Sequence, residues 1–195
     1  MFTSLVKPSL RLIAVLSVIT GLVYPAVVYV LAQAIYPNET HGSLLRVGST
    51  VVGSRLIGQS FSSPANFWGR PSATTPMPDN PLASGGSNLG PMNPALMDAV
   101  RARIQALGAA DKSATGPVPQ DLVTASGSGL DPEISVAAAH FQAQRVAAAR
   151  NMSIDDVNRL IAQYTTAPDW GLFGEARVNV LELNLALNKR ARTSQ

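Results

Sequence analysis

Cysteine is absent from this sequence of 195 residues, and charged residues make up only 14% of it. The lack of cysteine excludes a disulfide scaffold, a thiolate zinc site and a cysteine nucleophile. The charged fraction is well below the ~25% that is typical of soluble domains. Because 46% of the residues are hydrophobic, the chain is not disordered over its whole length, and part of its apolar content is expected where water is absent. The length suits one modest domain.

Basic residues show no concentration that would indicate nucleic-acid binding. Fifteen Lys and Arg residues face twelve Asp and Glu residues, which gives a formal net charge of +3. These basic residues are spread thinly along the chain and form no stripe. We therefore predict no nucleic-acid partner.

The longest uncharged stretch lies near the N-terminus. After Lys7 and Arg11, no charged residue occurs until Glu39, so residues 12–38 form 27 uncharged positions. A helix rising about 1.5 Å per residue would exceed the ~30 Å hydrocarbon core of a bilayer over this length. This pattern predicts three regions: an N-terminal flank at 1–11, one transmembrane helix at 12–36, and an extramembrane domain at 37–195.

Two alternatives share parts of this pattern. A cleavable signal peptide would also have a basic start and a small-residue site such as Ala32-Gln33-Ala34, but its apolar core of ~7 to 15 residues would be shorter than this one. A buried core helix would show a polar stripe with helical period, and none recurs here. We favour a retained membrane anchor in the lipid bilayer, ended by Pro37.

Flanking charges predict how this anchor is oriented. Lys7 and Arg11 precede the helix, so the N-terminus is expected in the cytoplasm and the domain at 37–195 outside it, in the periplasm.

Small residues inside the anchor raise the question of a partner helix. Ser17 and Gly21 lie four residues apart, and Pro25 leaves the carbonyl of Gly21 without its helical donor. Small residues with a proline favour helix association. A lone anchor with incidental small residues fits equally well, so Ser17 and Gly21 are candidate interface residues.

A long segment rich in proline and glycine follows in the domain. Residues 64–94 hold seven of the fourteen prolines, four glycines, and only two charges, Arg70 and Asp79. A loop this long is a functional ordered loop, a linker or disordered. Aromatic residues near its start favour order, namely Phe61, Phe67 and Trp68.

The remaining sequence alternates short strands with helices. The predicted elements are one or two strands within 47–57, a helix from Pro94 to Gly108 capped by Asn93, a strand at 121–125, a helix from 132–135 to Asn151, a helix capped by Ser153, and a last helix at 178–190. Asn179 and Glu182 have capping-box spacing in that last helix. The fold class is therefore α+β, with one N-terminal transmembrane helix and one small extramembrane domain.

Catalytic and metal-binding patterns are weak. His41 and His140 lack a nucleophile in a recognisable arrangement, and the acid pairs Asp131/Glu133 and Asp155/Asp156 are better explained as charges at helix starts. The glycine-rich turns at 84–88 and 126–129 are not followed by Gly-Lys-Ser/Thr, so neither is a P-loop. No metal and no tightly bound cofactor are predicted.

One enzyme class shares this layout, namely a membrane-anchored extracytoplasmic Ser/Lys hydrolase. Its lysine base would need a buried setting that lowers the lysine pKa. Lys112 falls in a polar linker and Lys189 near the C-terminus, and neither context predicts burial. The hydrolase is kept as the alternative function.

Several longer phrases are more specific than any catalytic signature. They are GQSF at 58–61, FWGRPSA at 67–73, ASGGSNLGP at 83–91, LVTASGSGLDPEIS at 122–135, FQAQRV at 141–146 and VNVLELNLAL at 178–187. Through these phrases the chain resembles the KdpC family, the C subunits of high-affinity potassium-transporting P-type ATPases. The resemblance runs from the membrane helix to about Lys189.

The resemblance implies an accessory, non-catalytic subunit in the bacterial inner membrane. Its partners would be a P-type ATPase subunit, a channel-like potassium-translocating subunit and a small single-helix subunit. The family is viewed as stabilising assembly and as a catalytic chaperone that raises the affinity of the ATPase subunit for ATP. By resemblance, Gln142 matches a glutamine proposed to contact ATP, shared with the ATPase subunit, and Arg145 follows it. Gln144 stands where the family often has proline.

The predicted orientation conflicts with a direct ATP contact. ATP is cytoplasmic, whereas the flanking charges place Gln142 outside, so both expectations cannot hold. The domain is better suited to cover the potassium entrance or hold the channel-like subunit, with the loop at 64–94 as the contact surface. The interface residues predicted on that loop are Phe67, Trp68, Gly85, Gly86, Ser87 and Asn88.

Overall fold

The structure is a computed structural model that describes residues 2–111 and 116–193. The chain divides into two compact units, residues 1–44 and 45–195, and each is described by itself. The fold class is the predicted one, an N-terminal apolar helix followed by a small α+β domain.

The first unit is a long helix with one irregular turn. It comprises α1 (Phe2–Val18), a π-helical turn (Ile19–Val23) and α2 (Tyr24–Ile35). The stretch Leu5–Ile35 is the one helix among the described residues that is long and apolar enough to cross a membrane, with a mean hydropathy of 2.2. A short helix α3 (Pro37–Thr40) follows.

Pro25 explains the irregular turn. Proline has no N–H, so the carbonyl of Gly21 has no α-helical donor there. The chain responds with a wider turn in which the N–H of Tyr24 donates to the carbonyl of Ile19, five residues back. The Thr20 hydroxyl adds a bond of 2.8 Å to the carbonyl of Leu16. The predicted effect of Pro25 is therefore confirmed.

Within the described residues, the second unit contains two small sheets and four α-helices. Its elements are β1 (Leu44–Val47), β2 (Thr50–Ser54), α4 (Pro94–Ala110), β3 (Glu133–Ser135), α5 (Val136–Arg150), α6 (Ile154–Gln163), β4 (Thr165–Thr166), β5 (Arg177–Asn179) and α7 (Val180–Thr193). Strands β1 and β2 form a hairpin, and β5 lies between β3 and β4. Both pairings with β5 are antiparallel, with Ile134 and Thr165 each opposite Val178.

Helix starts follow the predicted caps. The side chains of Asn93, Ser135, Ser153 and Asn179 each accept a hydrogen bond from a backbone N–H in the first turn of α4, α5, α6 and α7. Asn151 takes a left-handed conformation after α5, with φ of 53°. These caps satisfy N–H groups that have no partner inside their own helix.

The core lies between α5, α6, α7 and the sheet. Its fully buried apolar side chains include Leu122, Val146, Val157, Ile161, Val178, Leu183 and Leu187. Helix α4 contributes Leu107 to this core, with half-buried Ala110 packed against it, whereas Met97 and Ile104 of the same helix are 47% and 42% exposed.

The strand predicted at 121–125 is wrong. Residues Gln120–Leu122 form a 3₁₀ turn instead. The carboxylate of Asp121 accepts bonds from the backbone N–H and hydroxyl of Ser135, at 2.6 and 3.2 Å. This carboxylate joins the turn to the β3–α5 junction, so the apolar run alone did not determine its structure.

Candidate functional site

The most unusual feature of the domain is a stretch of irregular backbone that contains two buried aromatic residues. Residues 64–69, which we call the clamped segment, belong to no strand. The side chains of Phe67 and Trp68 within it are 0% and 6% exposed. Buried backbone polar groups need partners, and here side chains from three helices supply them.

Each of the six carbonyls in the clamped segment accepts a hydrogen bond from a side chain. The donors, in the order of the carbonyls from 64 to 69, are Arg145, Arg150, Arg145, Asn184, Gln142 and Arg103. Helix α4 provides one of these residues, α5 three and α7 one. The segment is therefore held by side chains where a strand would be held by another strand.

Two buried amide side chains bind consecutive residues in the same way. The Gln142 Oε1 accepts from the N–H of Trp68 at 2.8 Å, and its Nε2 donates to the carbonyl of Trp68 at 3.1 Å. The Asn184 Oδ1 accepts from the N–H of Phe67 at 2.8 Å, and its Nδ2 donates to the Phe67 carbonyl at 3.0 Å. Gln142 is 2% exposed and Asn184 is 1% exposed. Each amide replaces the neighbouring strand that a β-sheet would provide.

The amide of Gln142 has further partners. Its Nε2 also donates to the carbonyl of Ala138 at 3.3 Å, and its Oε1 accepts from Nη2 of Arg145 at 2.7 Å. An amide offers two donor hydrogens and two acceptor positions, so the polar capacity of Gln142 is filled within the domain. A ligand could bind this amide only by displacing one of these partners.

Two guanidinium groups lie against the ring of Trp68. The central carbon of Arg145 is 4.8 Å from the ring centroid and that of Arg103 is 5.2 Å away. Cations near an aromatic ring are attracted by its quadrupole. Burial lowers the pKa of Arg145 to about 10, with Asp111 opposing this shift and Arg103 adding to it. Arg145 is therefore still a cation at neutral pH, held by carbonyl groups and an aromatic ring.

The clamped segment continues into an ordered loop, as the aromatic residues predicted. The Ser72 hydroxyl donates to the carbonyl of Gly129 at 2.7 Å and accepts from the N–H of Asp79 at 2.9 Å. The Thr74 hydroxyl donates to the Met77 carbonyl and accepts from the N–H of Asn80. Proline and glycine therefore shape this loop without making it a free linker.

The two glycine-rich turns pack against each other. The Gly85 N–H donates to the carbonyl of Ser128 at 2.8 Å. A Cβ at Gly86 would lie 2.9 Å from the carbonyl oxygen of Gly127, and one at Gly129 would lie 2.6 Å from that of Gly85. These glycines therefore allow a close approach of two backbones. Ser87 and Asn88 remain exposed at the edge of the contact.

The sequence-predicted interface residues thus separate into two groups. Phe67 and Trp68 lie in the core of the domain, where their rings and backbone are enclosed, so they offer no surface to a partner. Gly85 and Gly86 are half-buried, and Ser87 and Asn88 are exposed. In the first unit, Ser17 lies in α1 and Gly21 in the π turn, and both are exposed.

A polar cleft of about 540 Å³ lies near the sheet. Two ion pairs line it, Arg70 with Asp131 at 3.0 Å and Arg177 with Glu133 at 3.0 Å. Burial raises the pKa of Glu133, while Arg177 opposes that shift. The acid pair Asp131/Glu133 is thus paired with two arginines, and the described ranges 2–111 and 116–193 contain no group of three His, Asp or Glu residues placed to hold a metal.

The residues considered for catalysis are exposed where the structure describes them. His41 contacts the carbonyl of Pro37, and His140 contacts Asn158; both histidines are exposed. Lys189 is exposed on α7. Lys112 lies outside the described residues.

Sequence reasoning found Gln142 and Arg145 only by resemblance, and it missed Asn184, Arg103 and Arg150. One signal was present for Asn184. Asn184 interrupts a leucine-rich phrase at a position between Leu183 and Leu187, which are both fully buried. A polar residue among core positions predicts a buried hydrogen-bonded group, although its partner at Phe67 lies 117 positions away.

The fold and this site define a class of chain with one candidate membrane-spanning helix and a small α+β domain whose buried polar side chains hold its own backbone. The profile of the family described as "KdpC: K+-transporting ATPase, c chain" matches residues 6–189. The chain therefore belongs to the KdpC family.

Two relatives illustrate how close this similarity is. The chain is 58% identical over 188 residues to the potassium-transporting ATPase KdpC subunit of Variovorax paradoxus (strain S110), with 96% of this chain and 97% of that protein covered. It is 57% identical over 185 residues to the subunit of the same name from Polynucleobacter asymbioticus (strain DSM 18221 / CIP 109841 / QLW-P1DMWA-1), with 95% and 98% covered.

Proposed function

We propose that this chain is a non-catalytic accessory subunit of an ATP-driven potassium uptake complex in the bacterial inner membrane. It assembles with a P-type ATPase subunit, a channel-like potassium-translocating subunit and a small single-helix subunit. Family membership supports this proposal, since the relatives at 57% and 58% identity are named as subunits of potassium-transporting ATPases. The apolar helix Leu5–Ile35 supports a membrane location.

The domain at 37–195 lies outside the cytoplasm in this proposal. Lys7 and Arg11 flank the N-terminal side of the apolar helix, as expected for a cytoplasmic N-terminus. Because the chain has no cysteine, a single introduced cysteine is a unique label. In intact cells, a membrane-impermeant maleimide should label the exposed position in Arg159→Cys and should not label Ser4→Cys. Labelling of Arg159→Cys only after cell lysis would contradict this orientation.

The chain raises the ATP affinity of the ATPase subunit indirectly in this proposal. The observation that carries it is the complete engagement of the Gln142 amide with Trp68, Ala138 and Arg145. Gln142 and Arg145 act as positioning residues that hold the clamped segment, and the effect on ATP reaches the partner through the surface of the domain. A direct contact between Gln142 and ATP would require the amide to leave this network.

A pair of variants separates the indirect role from direct contact. Gln142→Ala and Asn184→Ala each release one residue of the clamped segment, yet only Gln142 is linked to nucleotide by resemblance. The ATP dependence of potassium-stimulated hydrolysis should shift in the same direction for both variants in the purified complex. Gln144→Ala, an exposed glutamine on the same helix, should leave it unchanged. A shift in Gln142→Ala with none in Asn184→Ala would favour direct contact.

The exposed edge of the ordered loop is the proposed contact with the channel-like subunit. Ser87 and Asn88 are exposed there, on a backbone fixed by the contact between Gly86 and Gly127. A photocrosslinker attached to Ser87→Cys should capture the channel-like subunit in membranes that express the whole complex. The same probe at Arg159→Cys, on an exposed face of α6, is the matched control. Equal capture from both positions would contradict a specific contact at the loop.

A further inference from the structure

An exposed apolar hairpin joins β4 to β5. We call residues 167–175 the aromatic hairpin. At its tip, Trp170 is 94% exposed, Leu172 is 76% exposed and Phe173 is 57% exposed. The chain has two tryptophans. Trp68 is enclosed in the domain, whereas the side chain of Trp170 is almost fully exposed. Three large apolar side chains exposed at one turn are typical of a surface that binds something.

The backbone of the aromatic hairpin is fixed. The N–H of Asp169 donates to the carbonyl of Phe173 at 2.8 Å, and the N–H of Phe173 donates back at 3.0 Å. The N–H of Gly171 donates to the carbonyl of Pro168 at 2.9 Å. The rings of Trp170 and Phe173 pack edge to face, with centroids 5.9 Å apart. The apolar tip is therefore preorganised.

Trp170 lies in a backbone conformation that bulky residues avoid. Its φ is 54°, followed by 73° at Gly171, which is a pair of positive φ values suited to glycine or asparagine. A tryptophan here strains the backbone and gains no burial in the core. This combination favours a function for the exposed ring.

The charges beside the tip are acidic. Asp169 pairs with Arg177 at 3.6 Å, Glu175 is exposed, and residues 167–175 contain no Lys or Arg. Attraction to anionic headgroups therefore cannot drive binding, because that attraction needs basic residues. A ligand for this tip must be recognised by its apolar or interfacial character.

We propose that the tip of the aromatic hairpin, formed by Trp170, Leu172 and Phe173, inserts into the interfacial region of a lipid bilayer. Tryptophan is enriched at membrane interfaces, where its ring meets the apolar boundary and its N–H stays hydrated. The bilayer in question is the one that the apolar helix would span. That helix ends at Ile35 and the domain unit begins with residue 45, so few residues separate the two. Such a short tether keeps the domain that carries the hairpin at a high effective concentration near lipid.

This inference rests on the proposed function only in requiring that Leu5–Ile35 spans the membrane. It does not depend on which side the domain occupies or on the other subunits. A protein partner at the same tip is the competing occupant. The absence of Lys and Arg within residues 167–175 and the short connection to the apolar helix favour lipid.

Tryptophan fluorescence tests the insertion. The full chain is reconstituted into zwitterionic phosphatidylcholine vesicles with and without lipids brominated near the headgroup end of the acyl chains. Bromine should quench part of the wild-type emission, and Trp170→Phe should lose that quenchable part because only enclosed Trp68 remains. Leu172→Ser/Phe173→Ser, which keeps Trp170, should reduce the quenching at least twofold. Added salt should leave it unchanged, since no charge attraction is involved.

Two results would overturn the inference. One is equal quenching of wild type and Trp170→Phe. The other is free access of aqueous iodide to Trp170 in vesicles combined with its protection only in the assembled complex, which would assign the tip to a protein partner. Co-purification with the other subunits, measured in parallel, keeps a failure of the hairpin inference distinct from a failure of the proposed function.

Discussion

Two regions of this chain satisfy their backbone hydrogen-bonding groups in opposite ways. In the apolar helix, Leu5–Ile35, backbone groups bond within the helix, and the only irregular turn lies beside Pro25. In the clamped segment, residues 64–69, all six carbonyls depend on side chains that lie between 34 and 117 positions away. The first arrangement is local and tolerates exchange among apolar residues. The second depends on a few specific polar residues, so single substitutions there should have large effects.

Gln142→Ala should have the largest effect. It leaves the N–H and carbonyl of Trp68 and one nitrogen of Arg145 without a partner in the core. Unsatisfied buried groups cost about 1–3 kcal/mol each, so with three such groups we expect a loss of at least about 3 kcal/mol in the free energy of unfolding. Denaturant unfolding of the full chain in detergent measures this loss. The exposed Gln144→Ala should change it by less than about 0.5 kcal/mol, and equal effects of the two variants would refute the clamp.

Asn184→Ala should have the second-largest effect on stability. It releases the N–H and carbonyl of Phe67 but no arginine, so with two groups unsatisfied at least about 2 kcal/mol should be lost from the free energy of unfolding. The double variant Gln142→Ala/Asn184→Ala should lose less than the sum of the two single variants, because both hold adjacent residues of one segment. Strict additivity in the same unfolding assay would mean that the two amides act independently.

Arg145→Lys tests whether geometry matters beyond charge. Lysine keeps the positive charge but lacks the planar fork that reaches the carbonyls of Pro64 and Asn66 and the Gln142 amide. We expect a loss of about 1.5–3 kcal/mol in the free energy of unfolding, the range of hydrogen bonds to charged groups. Arg159→Lys, with an arginine side chain 71% exposed, is the control. A neutral outcome for Arg145→Lys would show that charge alone holds the segment.

Pro25→Ala tests the apolar helix, the other of the two regions compared. It restores an N–H that can donate to the carbonyl of Gly21, so the turn Ile19–Val23 should change from π-helical to α-helical. Amide NMR in lipid nanodiscs should show a protected N–H at position 25. An unprotected N–H there would mean that Pro25 does not cause the irregular turn.

Asp156→Asn should have the smallest effect, because its hydrogen bonds face water. The hydroxyl of Ser153, with help from Arg159 and Arg190, lowers the pKa of Asp156 below 3.8. On acidification, the Asp156 carboxylate is therefore protonated in the unfolded chain before it is protonated in the folded chain. The contribution of Asp156 to the free energy of unfolding is full above pH 3.8 and is lost as the pH falls through its lowered pKa. Unfolding curves in acid should be slightly less pH-dependent in the variant. An unchanged acid dependence would exclude this contribution.

Local patterns in the sequence predicted much of this fold. The apolar helix, the effect of Pro25 and the caps at Asn93, Ser153 and Asn179 each depend on a few neighbouring residues. The strands β3 and β5 escaped prediction because they have three residues each, too few to show a period. The site was less predictable still, since the partnership between Gln142 and Trp68 joins residues 74 positions apart.

Resemblance named Gln142 and Arg145 without showing what they contact. It implied nucleotide, whereas both side chains bond within the domain. The loop 64–94 shows the same limit, because its composition predicted an ordered surface but gave no means to separate buried Phe67 and Trp68 from exposed Ser87 and Asn88.

Hydrogen exchange at the N–H of Trp68 tests the central claim, that Gln142 acts by holding the clamped segment. In the wild-type chain this N–H should exchange slowly, as a buried group bonded to the Gln142 amide at 2.8 Å. In Gln142→Ala it should exchange faster by at least tenfold relative to core amides of α6, with wild-type rates retained in Gln144→Ala. Unchanged protection of Trp68 in Gln142→Ala, together with an altered ATP dependence of the assembled complex, would contradict the account.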